Sequence, residues 1–160
     1  MHCELVRRKS ATSLRELKLV LFICHGNVAR SQFAEALLRS KGYKHVASAG
    51  THITVDRQGN TLQSDGQTAR ESAEYFLQAT GIDISGNKRK LISRDMVQTA
   101  QVIVVITLRE NLPSYVMEGE TEILFWDIDD PNGTALAGYQ NIISEIGVLV
   151  DQLCEKSIFA

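Results

Sequence analysis

The sequence is short of cysteine, has no surplus of positive charge and contains no long apolar run, and each shortage removes a class of protein. Its three cysteines, Cys3, Cys24 and Cys154, are too few and too scattered for the disulfide framework of a small secreted domain, so they read as thiols. Seventeen basic residues face nineteen acidic ones for a net charge of -2. Without a basic stripe to neutralise a phosphate backbone, nucleic acid is not an expected partner. No apolar run approaches the roughly 20 residues of a membrane-spanning helix, and Met1 to Lys18 holds no apolar signal-peptide core. A soluble, cytoplasmic protein with no membrane partner is the expectation. None of the four histidines, His2, His25, His45 and His52, pairs with another His or Cys at zinc spacing, so they read as separate surface or loop residues, with no metal and no cofactor expected. There is no internal repeat, linker or low-complexity tract.

What is present fits one compact domain, since 160 residues can bury a continuous core without staples. Residues 1–16 read as a polar, mobile leader and 17–160 as a single domain. Leu17 to Ile23 is a short apolar run, as a buried parallel strand should be. Ser31 to Lys41 follows at helical spacing and stops at Gly42. His45 to Ala49 reads as a second strand, Thr51 to Asp65 as irregular with a turn at Gly59-Asn60, and Gln67 to Thr80 as a helix ending at Gly81. Beyond it come a short strand at Ile82 to Ile84, a short helix at Ser93 to Thr99, and strands at Gln101 to Ile106 and Glu122 to Trp126. An amphipathic helix from about Leu136 to Cys154 places Ile142, Ile146, Leu149, Val150 and Leu153 on one face. This alternation predicts an α/β domain whose parallel sheet is covered on both faces. Right-handed crossovers then bring the loops after Ile23, Ile106 and Trp126 to one edge.

The chemistry concentrates in Cys24-His25-Gly26-Asn27-Val28-Ala29-Arg30-Ser31, between the first strand and the first helix. Successive backbone N–H groups there can converge on an anion, and the helix dipole adds positive potential. A thiol in that setting deprotonates readily, and the thiolate is the form that attacks. The planar guanidinium of Arg30 can bind two oxygens of a tetrahedral oxyanion at once. Gly26 lets the loop turn tightly. A Cys and an Arg six positions apart are a weak signal alone, and the strand before and helix after give them meaning. Asp127, Asp129 and Asp130 crowd after the strand ending near Trp126. A carboxylic acid beside the nucleophile can protonate a leaving oxygen, and like charges can favour its protonated form. The run Asp129-Asp130-Pro131-Asn132-Gly133 also suits a plain turn.

With Cys24-x5-Arg30-Ser31 and Ala34-Glu35, the run Val20 to Ala36 resembles the signature of low-molecular-weight protein tyrosine phosphatases and the related arsenate reductases. Ser48-Ala49-Gly50-Thr51, Gly81-Ile82-Asp83-Ile84-Ser85, Arg109-Glu110-Asn111-Leu112 and Asp130-Pro131 match later family motifs in order, so the resemblance covers nearly everything from Leu19 to Leu153. It implies a three-layer sandwich with a four-stranded parallel sheet flanked by helices. It also implies Cys24 as nucleophile, Arg30 as oxyanion binder, Asn27 as loop-shaping residue, Ser31 as hydrogen-bond donor to the thiolate and Asp130 as general acid. His25, Gly26, Asn27, Val28, Ala29 and Ser31 would complete the substrate-binding loop. The substrate would be a phosphorylated protein, a small phosphomonoester or arsenate.

The sequence departs from that pattern at several places. Ala29 stands where the phosphatases usually carry a second cysteine, and His25 follows the nucleophile in place of a small or apolar residue. Asn132-Gly133 replaces an aromatic pair, and His52-Ile53 an aromatic, which weakens the case for phosphotyrosine. Trp126 and Tyr139 are the remaining rings for a stacking wall, although a lone Trp at a strand end is more often core. Thioredoxin-linked arsenate reductases carry two further cysteines where this chain has Thr107 to Asn111, so reduction would need an external thiol or a glutaredoxin-like partner. A non-catalytic anion-binding module is the third reading.

Overall fold

The computed structural model describes residues 18–156. The leader expected over 1–16, with Cys3 and His2, lies outside them, as do Leu17 and residues 157–160.

Four strands, β1 (Val20–Cys24), β2 (Val46–Gly50), β3 (Val102–Val105) and β4 (Glu122–Phe125), form one sheet in the order β2-β1-β3-β4. Every pairing is parallel, with Val20 opposite both Val46 and Val102, Val102 opposite Glu122, and Cys24 opposite Gly50. The helices are α1 (Arg30–Ser40), α2 (Gln67–Thr80), α3 (Arg94–Thr99), α4 (Ser114–Met117) and α5 (Leu136–Lys156), with a 3-10 turn at Arg109–Asn111. This is the α/β three-layer sandwich that the sequence implies.

Burial explains the sequence of each strand. The central strands β1 and β3 are apolar throughout and buried at every residue, because helices cover both faces. Their even-numbered side chains, Val20, Phe22, Val102 and Val104, pack with Phe33 and Leu38 of α1, Phe76 of α2 and Ile142, Ile146 and Val150 of α5. Odd-numbered Leu21, Ile23, Ile103 and Val105 meet Val97 of α3 and Val116 of α4 on the other face. Strand β4 is exposed at both ends and only partly covered between them, as an edge strand is. Gly81 ends α2 in the left-handed conformation at φ 78°, its N–H on the Leu77 carbonyl. Ser93 caps α3 by accepting from the Met96 N–H.

Two local expectations change. Ile82 to Ile84 forms no strand; Ile84 instead plugs the core at 2% exposure. The pairing falls later: Gly50 donates to the Lys90 carbonyl at 2.8 Å and Ile92 to the Gly50 carbonyl at 2.9 Å. Those bonds draw Arg89 and Lys90 to the end of β2. The 3-10 turn and α4 went unread because neither is long enough to show a helical period.

Candidate active site

Cys24 ends β1 at 2% exposure. Beyond it the chain leaves the sheet and returns as α1, whose N-cap is Ala29 rather than a residue with a capping side chain. The amides of the first turn are therefore not occupied by an N-cap oxygen and face the concavity of the loop. Ser31 lies inside the helix, with its Oγ 3.0 Å from Cys24 Sγ. The Asn27 N–H points at the same sulfur from 3.3 Å.

Asn27 is the non-glycine residue with positive φ among the described residues, at 52°. Its side chain holds it there. The amide Nδ2 donates to Ser31 Oγ at 2.8 Å and to Ser48 Oγ at 3.0 Å, and Oδ1 accepts from the Lys90 N–H at 2.9 Å and Gln32 Nε2 at 3.1 Å. Ser48 in turn donates to Glu35 Oε1 at 2.6 Å. Glu35 also meets Arg39 at 3.0 Å and the Lys90 ammonium at 3.8 Å. Burial pulls the Lys90 ammonium below its ordinary pKa, and Glu35 opposes that shift. A chain of polar contacts thus runs from the thiol through Ser31, Asn27 and Ser48 to a carboxylate on α1.

Cys24, His25, Gly26, Val28, Ala29 and Arg30 line one cavity of about 270 Å³, and Asp130 closes its far side. Asn27 and Ser31 lie behind that wall, fully buried. Arg30 donates to the Ile128 carbonyl at 3.1 Å and stands 3.7 Å from Asp130. The loop after β4 therefore aims the guanidinium and presents a carboxyl beside it. Asp130 is half-exposed, and its Oδ1 accepts from the Asn132 N–H at 3.0 Å, so the turn and the site coincide. Asp127 lines an adjoining groove, and Asp129 lines neither hollow.

The mouth differs from the sequence expectation. His25 and His52 are stacked, ring centroids 4.4 Å apart and planes within 5°, so they are not separate loop histidines. The His52 N–H donates to the His25 carbonyl at 2.9 Å, which extends the β1–β2 pairing past the strand ends. Burial foremost, then the neighbouring His52, with a smaller contribution from Arg30, pulls the His25 imidazole below its ordinary pKa; Asp130 opposes them. Tyr139 is buried against Tyr75 and Phe33, and half-buried Trp126 tilts onto Phe22. The stacked rings at the mouth are imidazoles.

Other participants were not legible in the sequence. Arg89, 7% exposed, donates from Nε and Nη2 to the Gly26 carbonyl at 3.0 and 2.8 Å and from Nη1 to Asp65. Burial raises the Asp65 carboxyl, but hydrogen bonds from Asn60 and Arg89 and the charges of Arg89 and Arg57 outweigh it, leaving the pKa below its usual value. In sequence, nothing in the spacing of Asn87-Lys88-Arg89-Lys90 points to the loop. Gly26 also gains a different reason: its φ is not positive, and a Cβ there would lie 3.3 Å from Arg89 Nη2. Among the described residues Cys24 is a free cysteine, whereas Cys154, read from sequence as a thiol, is disulfide-bonded. Among the described residues, no group of three His, Cys, Asp or Glu is placed to hold a metal ion, and no helix is long and apolar enough to cross a membrane.

Fold and site together define a class: α/β proteins with a cysteine-bearing loop at the end of the first strand of a parallel sheet. Within that class, the sequence profile of the low molecular weight phosphotyrosine protein phosphatase family matches residues 19–158, so the chain belongs to that family. An arsenate reductase from Brevibacillus brevis is 25% identical over 138 residues, covering 86% of this chain and 95% of the relative. A glutaredoxin arsenate reductase from Synechocystis is 25% identical over 143 residues, covering 88% and 98%. The solved low molecular weight protein tyrosine phosphatase from T. tengcongensis is 26% identical with a TM-score of 0.67, covering 86% of this chain and 97% of its own. The family is one of cysteine-based enzymes and spans both phosphatases and arsenate reductases.

Proposed function

We propose that the chain is a phosphomonoester hydrolase that works through a cysteinyl-phosphate intermediate. The observation that carries the reading is the meeting of Cys24, Arg30 and Asp130 at one cavity. In the first half-reaction the Cys24 thiolate attacks phosphorus, an S–P bond forms, and the P–O bond to the leaving group breaks. Asp130, protonated, gives its proton to the departing oxygen. Arg30 and the loop amides hold the three non-bridging oxygens as charge spreads over them. In the second half-reaction Asp130, now a carboxylate, takes a proton from water as that water attacks phosphorus, and the S–P bond breaks to return the thiolate and inorganic phosphate. Ser31 suits the resting thiolate: Asn27 already donates to its Oγ, which leaves the hydroxyl proton for the sulfur. Loop amides serve substrate binding along His25 to Arg30, while Asn27 and Ser31 act from behind.

Relatives named arsenate reductases favour a second reading. There Cys24 would bond to arsenic(V), and an external thiol pair or glutaredoxin-like partner would supply the two electrons that release arsenic(III) and leave a disulfide. Two assays on wild-type protein separate the readings. Hydrolysis of nitrophenyl phosphate without any reductant is the expected result. Arsenate-dependent thiol consumption without phosphate release would replace phosphatase by reductase, and oxyanion binding without either activity would make the chain a binding module.

A further inference from the structure

We propose that Arg89 is a positioning residue for the nucleophile, acting through the Gly26–Asn27 peptide; this rests on the reading of Cys24 as a thiolate nucleophile. That peptide unit has two ends. Its carbonyl, on Gly26, takes two N–H bonds from one guanidinium at 3.0 and 2.8 Å. Its N–H, on Asn27, points at Cys24 Sγ from 3.3 Å. In a planar trans peptide the C=O and N–H point in opposite directions, so fixing the oxygen on the guanidinium fixes the N–H toward the sulfur. A cation on the carbonyl oxygen also polarises the amide and makes its N–H a stronger donor to an anion.

Without that clamp the peptide can rotate. Asn27 holds φ 52°, a conformation of higher intrinsic energy, and flipping the preceding peptide would relieve it. The flip would turn the Gly26 oxygen toward the sulfur and toward any bound oxyanion, replacing a donor by an acceptor. The clamp is built rather than incidental. Arg89 is buried, Asp65 fixes its third nitrogen, Asn60 donates to Asp65 at 2.9 Å, and a Cβ at residue 26 would crowd the guanidinium at 3.3 Å.

The test measures iodoacetamide labelling of Cys24 against pH, its protection by inorganic phosphate, and thermal melting, in full-length wild type, Arg89→Gln, Arg89→Lys and Asp65→Asn. In folded Arg89→Gln, labelling at neutral pH should slow by about tenfold, its profile should move to higher pH, and protection should need about tenfold more phosphate, as expected for losing a charge-assisted contact. Arg89→Lys, which keeps the charge but not the two-pronged grip, should recover part of the rate. A role confined to stability would lower the melting temperature and leave the labelling profile of the folded protein in place, and that result overturns the proposal. If Arg89→Gln does not fold, Asp65→Asn decides: a wild-type profile there counts equally against the clamp. If wild-type Cys24 labels no faster than glutathione, the thiolate reading falls and the clamp with it. A fast wild type with an equally fast, folded variant removes only the role of Arg89.

Discussion

Asp130 and Asp129 are adjacent, yet only Asp130 lines the cavity beside Arg30. A general acid matters in proportion to the basicity of the leaving oxygen. Asp130→Asn should therefore cost little with nitrophenyl phosphate and about a hundredfold to ten-thousandfold with phenyl or alkyl phosphates, while Asp129→Asn stays near wild type on both. Steady-state rates across a leaving-group series check this, and a leaving-group dependence reproduced by Asp129→Asn would move the role to that carboxyl. His25 gives a second prediction at this scale. Its pKa in the folded protein lies below the ordinary 6.5. Above that value the imidazole is neutral in both folded and unfolded chains and contributes no pH dependence. As pH falls below it, the unfolded chain takes up the proton first, so this residue's contribution lowers stability. In an NMR titration His25 should show a midpoint under 6.5, lower again in Asp130→Asn because Asp130 is the neighbour that raises it. A midpoint at or above 6.5 would contradict the stacked, partly desolvated geometry. Residue chemistry of this kind was half legible: Cys24, Arg30 and Asp130 stood out by type and context, whereas the partnership of His25 and His52 across 27 positions did not, because stacking leaves no periodic trace.

Among the elements, the end of β2 bears most directly on the loop. Gly50 pairs with Cys24, and a Cβ there would lie 2.9 Å from the Asn27 nitrogen, the Gly26 carbonyl carbon and the His25 oxygen. All three are backbone, so the loop would have to move. Gly50→Ala should lower stability by about 1–3 kcal/mol, the usual range for overpacking, and weaken phosphate protection of Cys24. Urea denaturation and the labelling assay check both effects, and an unchanged loop would show that β2 is a bystander. Gly147, inside α5 with open space around its Cβ direction, is the opposite case; its replacement by Ala should be neutral or stabilise the helix by up to about 1 kcal/mol. Element identities were legible for the long periodic segments. The loop from Ile82 to Ile92 was not, because its pairing is through backbone atoms of Gly50, Lys90 and Ile92 and leaves no side-chain alternation.

At the scale of the molecule, one sheet carries two unequal layers. Helices α1, α2 and α5 cover the face that ends in Cys24, while α3 and α4 cover the other. Ile146 is fully buried in the larger core. Ile146→Ala should cost about 2–5 kcal/mol in urea denaturation and leave kcat near wild type below the transition, because Ile146 lines neither hollow at the site. A fall in kcat without loss of stability would mean that α5 couples to the site. The parallel sheet and the edge where its loops gather followed from alternation of element types and right-handed crossovers, rules that need no side-chain detail. The support beneath the loop, from Arg89 and Asp65 to Glu35 and Ser48, joins residues far apart in sequence. It emerges only when β2, α1 and the segment after α2 converge.

The central claim, that Cys24 attacks phosphorus, is tested most directly by hydrolysis of nitrophenyl phosphate in wild type and Cys24→Ser, with phosphate binding measured in parallel. The account predicts turnover in wild type, none detectable in Cys24→Ser, and phosphate binding retained because Arg30 and the loop amides remain. Wild-type turnover in the serine variant would contradict it.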